Sequence, residues 1–133
     1  MDKEKLATIF NENVLRNLFP ADKTNRFFEA LFGDASDGAY DIKLGYGGFD
    51  PGSSRLQFNL ELHERPGCCL ACNMTYGLPQ VFTRHPVINV QGLVNDILKQ
   101  IDEKARCESW SLGSTMPQSK GFHLIPLFIT LAQ

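Results

Sequence analysis

The chain has 133 residues, 13 basic and 15 acidic, and a formal net charge of -2. With 43% hydrophobic and 21% charged residues it has an ordinary globular composition, which excludes a disordered or fibrous chain and suits one domain over residues 1–133. The near-neutral balance gives no electropositive field, so nucleic acid is not an expected partner.

The sequence opens on Met1-Asp2-Lys3-Glu4-Lys5, with no basic stretch leading into an apolar run and a small-residue cleavage site. A secretory leader is therefore not expected, and the cytoplasm is the expected compartment. The longest apolar stretch, Leu124 to Leu131, carries Pro126 and has the length of a strand, so no membrane crossing is expected.

Leu6, Ile9 and Phe10 share one helical face, as do Val14, Leu15, Leu18 and Phe19. Asn11 either caps a fresh helix between them or lies within one longer helix, and Pro20 ends the element. Pro20 to Asp22 has the proline and acidic residue of a helix start. Phe27, Phe28, Leu31 and Phe32 form the apolar face of that next helix, and Gly33 closes it. After a small polar turn, Tyr40, Ile42, Leu44 and Tyr46 alternate with Asp41, Lys43 and Gly45 as in a half-buried strand. Gly47 to Ser54 is rich in turn residues. Leu56, Phe58, Leu60 and Leu62 then alternate with Gln57, Asn59, Glu61 and His63, giving an antiparallel hairpin with one wet face.

Cys68 to Tyr76 has the pattern of a third strand, and Gln80 to Pro86 is expected to be irregular, since Pro86 disfavours helix at His85. Asn89 is placed to cap a helix with Val90, Leu93, Val94, Ile97 and Ile101 on its face. Arg106 to Leu112 is a further strand, Gly113 to Gly121 a polar loop or hairpin tip, and Phe122 to Leu131 a last strand. The last strand is apolar on both faces, as a central strand is, yet Pro126 removes a ladder donor and favours an edge or bulge. The pattern predicts an α+β fold: two N-terminal helices and an antiparallel sheet of about five strands, with the helices mainly on one face.

Cys68, Cys69, Cys72 and Cys107 are the compositional oddity. Cys69-Leu70-Ala71-Cys72 is a C-x-x-C, which with Cys68 and Cys107 offers a zinc ligand set. Residues three apart on a strand face opposite sides, however, and the helix that activates a thioredoxin-like pair does not follow. Buried reduced thiols are the favoured reading, with no bound cofactor. The three histidines form no metalloprotease pattern, no serine stands in G-x-S-x-G and no phosphate-binding loop occurs. The sequence therefore leans away from an enzyme. Arg84 and His85, ahead of the Asn89 helix, are candidates for holding an anion or small ligand. Phe10, Phe19, Phe27 and Phe28 are candidates for binding a partner segment, with core packing as their alternative role.

The stretches Asn25 to Asp34 and Thr75 to Pro79 resemble a small bacterial protein family of unassigned function. The order of elements is similar to that of secretion-chaperone-like α+β domains. That resemblance implies binding of extended partner segments, usually as a dimer, although here a helix is added in front and the final one is missing. The leading expectation is a non-enzymatic protein-binding or adaptor domain whose partner is another protein or a second copy. A cysteine-based metal or redox protein, and a small-molecule pocket near Arg84 and His85, are the alternatives.

Overall fold

The computed structural model describes residues 3–32, 40–65, 78–85, 87–102, 105–119 and 121–132. Helix α1 (Lys3–Ile9) ends before α2 (Glu12–Leu18) begins. Asn11 decides this: its backbone is extended and its side chain accepts a 3.0 Å hydrogen bond from Val14 N–H, so it caps a fresh helix. Helix α3 (Ala21–Phe32) follows Pro20 directly, with Asp22 in its first turn. It turns Thr24, Phe27 and Phe28 inward, all at most 2% exposed.

Strands β1 (Tyr40–Asp50) and β2 (Arg55–Glu64) form the expected hairpin, with Ile42 opposite Leu62, Leu44 opposite Leu60 and Tyr46 opposite Phe58. A bulge interrupts the register between Tyr46 and Gly48. The turn is tied by Asp50, which accepts from Gly52 N–H at 3.0 Å and from Ser53 Oγ at 2.9 Å. Those bonds hold its carboxyl below the usual carboxylate range. Strict alternation in β2 buries Leu56, Phe58, Leu60 and Leu62 completely and leaves Gln57, Asn59, Glu61 and His63 on the opposite face.

Helix α4 (Leu78–Arg84) occupies the segment expected to be irregular. Pro79 sits in its first turn, where the missing N–H has no helical acceptor to lose, so the proline starts the helix and does not break it. Phe82 anchors α4 with its ring 5.4 Å from that of Phe27. Helix α5 (Val90–Ile101) starts at Asn89 as expected, although Asn89 is left-handed (φ 48°, ψ 65°), and its side chain accepts from Gly92 N–H. Val90, Leu93, Val94, Ile97 and Leu98 make its buried face.

The chain finishes with β3 (Cys107–Leu112), β4 (Met116–Ser119) and β5 (Phe122–Leu131). All five described strands are antiparallel, in the order β1-β2-β5-β3, with β4 also paired to β5. The fifth strand is therefore β4, inside the stretch expected to be a loop, while the Cys68 to Tyr76 expectation lies outside the described residues.

The conflict over Pro126 resolves at this point. β5 is central, and Pro126 faces Asn59 of β2. Its carbonyl accepts from Gly113 N–H at 2.8 Å, so its nitrogen also points to the β3–β4 side. There the neighbouring ladder is interrupted, between Leu112 opposite Leu127 and Met116 opposite Leu124. The missing donor falls in the gap between two short strands.

The core lies between the helices and one face of the sheet. Phe10 meets Phe58 edge-on, with centroids 4.9 Å apart, and stacks on Tyr46, while Phe28 meets Tyr40 edge-on. Each fully buried phenylalanine stabilises the fold by about 1.5–3 kcal/mol. Trp110 packs at the margin of this core and donates to Gln91 Oε1 at 2.8 Å, tying β3 to α5. No described helix is long and apolar enough to cross a membrane.

Candidate interaction surface

Phe10, Phe19, Phe27 and Phe28 are 3%, 3%, 0% and 2% exposed, so their rings belong to the core and leave almost no surface to a partner. Arg84 lies exposed in the last turn of α4, where its charge complements the helix carbonyl end. His85 turns inward: its Nδ1 accepts from Val87 N–H at 3.2 Å, and its ring meets Phe27 edge-on at 4.8 Å. At the start of α5, Gly92 N–H is already answered by Asn89. The two residues are thus tied to separate local structures, Arg84 to a helix C-terminus and His85 to a turn.

Cys107 is a half-buried free thiol at the start of β3, and burial pushes its pKa up, away from a reactive thiolate. Cys68, Cys69 and Cys72 lie outside the described residues. No cluster of three His, Cys, Asp or Glu side chains suited to a metal occurs among the described residues.

The described helices pack on one face of the sheet, and no described helix covers the opposite face. On it β2 presents Gln57, Asn59, Glu61 and His63, as the alternation predicts. Beside that polar row, β5 presents Phe122, Leu124, Pro126 and Phe128. The polar row shields part of the apolar one. His63 stacks on Phe122 at 4.7 Å while sharing a 3.0 Å hydrogen bond with Glu61, and the Arg55 guanidinium lies 4.5 Å over the Phe128 ring. The shielding ends on the β4 side, where Met116 stands opposite Leu124. Met116 is 41% exposed, and no other large hydrophobic side chain among the described residues is left so open.

A second feature lies at the rim. Among the described strands β1 is terminal, so one line of its backbone groups points away from the described sheet. At Ile42 these groups are satisfied by α3: Ile42 N–H donates to Thr24 Oγ1 at 3.2 Å, and that hydroxyl donates to Ile42 C=O at 3.3 Å. By the same alternation the groups of Leu44 and Tyr46 also point outward, and no described residue pairs with them. Beside Leu44 a groove of about 320 Å³ separates α2 from β1, walled by Leu15, Phe19, Ile42 and Leu44 and rimmed by the charged Glu12, Arg16, Lys43 and Glu61. Glu61 reaches this rim because Gly45 has no side chain: a Cβ there would collide with the Glu61 carboxylate.

Sequence reasoning found the wet face of β2 but missed Met116 and the β1 edge. Met116 sits in a segment without strand periodicity, and the order of strands, which decides whose edge is free, is not written in any local pattern. Set against known protein families, characterised proteins and solved structures, the chain matches none.

Proposed function

We propose that the chain is a non-enzymatic protein-binding domain that presents the open face of its sheet to a partner protein or to a second copy of itself. The observation that carries this reading is the row of half-buried Phe122, Leu124 and Phe128, with buried Pro126 among them, on the face that no described helix covers, continued by exposed Met116. A large apolar side chain left in water beside a half-covered apolar row is the usual composition of an interface centre, and the polar row of β2 supplies a rim.

The test is Met116→Glu, with the photo-cross-linking residue benzoylphenylalanine placed at position 116 in a parallel sample. The reading expects a self-complex in sedimentation, or a specific cross-linked protein from the source cells, that Met116→Glu abolishes while the thermal melt is unchanged. A chain that stays monomeric at high concentration and yields no specific cross-link sinks the reading.

A further inference from the structure

We infer that the groove between α2 and β1 binds a free α-amino acid with an apolar side chain, the side chain in the slot and the charged end at its mouth. The ligand is a small molecule, so the inference goes beyond the protein-binding reading and does not depend on it. The first ground is the slot. Its walls are Leu15 of α2, Phe19 at the C-cap of that helix, and Ile42 and Leu44 of β1. Phe19, Ile42 and Leu44 are 3%, 2% and 7% exposed, so these walls belong to the packed core and hold their shape. At about 320 Å³ the space lies at the lower end of the range for ligand pockets, about 300–1,000 Å³, and suits a ligand of amino-acid size.

The second ground is a pair of charges at the mouth. Lys43 of β1 and Glu61 of β2 stand directly opposite each other, where oppositely charged side chains attract. Yet the two form no salt bridge with each other. Glu61 is turned along the sheet instead: its Oε1 meets His63 Nε2 at 3.0 Å, and its Oε2 lies over Gly45. His63 is thus a positioning residue that holds the carboxylate at the rim. Arg16 and Glu12, also at the rim, answer each other at 2.9 Å and add no net charge. The mouth therefore offers one cation and one anion side by side.

The third ground is the match between slot and mouth. An α-amino acid carries its ammonium, its carboxylate and its side chain on one carbon, so both charges sit together where the side chain enters. The carboxylate accepts from the Lys43 ammonium, and the ligand's ammonium donates to Glu61 Oε2. The side chain extends against Leu15 and Phe19, where burial of apolar surface is favourable. A fatty acid would set its carboxylate near that of Glu61 with no cation of its own. An alkylamine would set its ammonium near that of Lys43 with no anion. Each is opposed by one member of the pair, and only the zwitterion satisfies both.

The test is an amide NMR titration of the isotope-labelled full-length chain with L-leucine and L-phenylalanine. Three controls run beside it: glycine, isocaproate (leucine without its ammonium) and isoamylamine (leucine without its carboxylate). The inference expects saturable shifts centred on Leu15, Lys43 and Leu44 with at least one of the two amino acids. Each control should bind about tenfold more weakly or worse. Lys43→Met, at an exposed position, should weaken the amino acid about fivefold or more, leave isoamylamine no weaker and leave the thermal melt unchanged. Glu61→Gln should weaken the amino acid and leave isocaproate no weaker. If a variant unfolds, the controls on the unaltered chain still decide. No saturable shift with either amino acid at tens of millimolar overturns the inference, as do shifts confined to other residues. Isocaproate or isoamylamine binding as tightly as leucine overturns it too, since the groove would then take a singly charged amphiphile.

Discussion

Thr24→Val isolates the contact that closes one position of the β1 edge. Thr24 is 1% exposed, and its hydroxyl serves both backbone groups of Ile42, accepting at 3.2 Å and donating at 3.3 Å. Valine keeps the shape and removes the hydroxyl, leaving an N–H and a C=O unsatisfied under α3. A buried unsatisfied backbone group costs about 1–3 kcal/mol, and both bonds are at the long end of the normal range, which puts the pair at about 2–4 kcal/mol. The added methyl group returns about 0.8 kcal/mol of burial, for a net loss of about 1.5–3 kcal/mol. Urea unfolding followed by Trp110 fluorescence reads this as a lower midpoint at constant slope. Thr24→Ser keeps the hydroxyl and loses only a methyl, so it should fall clearly short of valine. The Ile42 amide should exchange faster in the valine variant and not in the serine variant. A valine variant within about 0.5 kcal/mol of wild type, with Ile42 still protected, would refute the account of the edge.

Three further outcomes follow from the same kind of geometry. A Cβ at Gly92 would lie 2.9 Å from Asn89 Cγ, inside the capping side chain, so Gly92→Ala should destabilise by about 1 kcal/mol despite alanine's better helix propensity. In an Asn89→Ala background the obstacle is gone and the same change should stabilise, which a double-mutant cycle in urea measures. A Cβ at Gly113 would lie 2.7 Å from Pro126 Cγ and 3.2 Å from Phe128, so Gly113→Ala should cost about 1–3 kcal/mol by crowding, seen as a lower melting temperature. Asp50 is held below its ordinary 3.8 by Ser53 and Gly52, so its folded pKa lies below its unfolded one. Its contribution is therefore complete above the unfolded value and is lost as pH falls through the lower folded value. Asp50→Asn should be less stable than wild type at neutral pH, and the difference should shrink as the pH falls below the ordinary carboxylate range in paired denaturation curves.

Much of the fold was legible because its signals are local. The alternation of Leu56, Phe58, Leu60 and Leu62 dictates both the buried and the wet face of β2, and Asn89 marks the start of α5. Helix α4 was misread because two prolines bracket it. Pro86 speaks against helix at His85, but Pro79 is a start signal, and Phe82, which fastens the helix to Phe27, looks unremarkable in isolation. β4 escaped notice because its four residues, Met-Pro-Gln-Ser, are all exposed and carry no alternation. Its place is set by β5. The phenylalanines were legible as important and ambiguous in role, since a helical stripe of rings looks the same in a core and in a groove. The interaction surface depends on which strands end up at the rim and which face the helices leave bare, and both are decided by contacts between residues far apart in sequence.

The proline in the central strand gives the sheet a direction of growth. At one rim β1 runs from Tyr40 to its bulge after Tyr46 without a gap in the strand, with Thr24 occupying the edge at Ile42. At the other, Pro126 splits the border into pieces of six and four residues, with Gly113 to Thr115 between them. An incoming strand has no continuous template on that side, so the interrupted main chain opposes accretion of further chains there, alongside the exposed Glu108 of β3. An engineer wishing to lengthen this sheet, or to fuse a sixth strand to it, has one side on which to build.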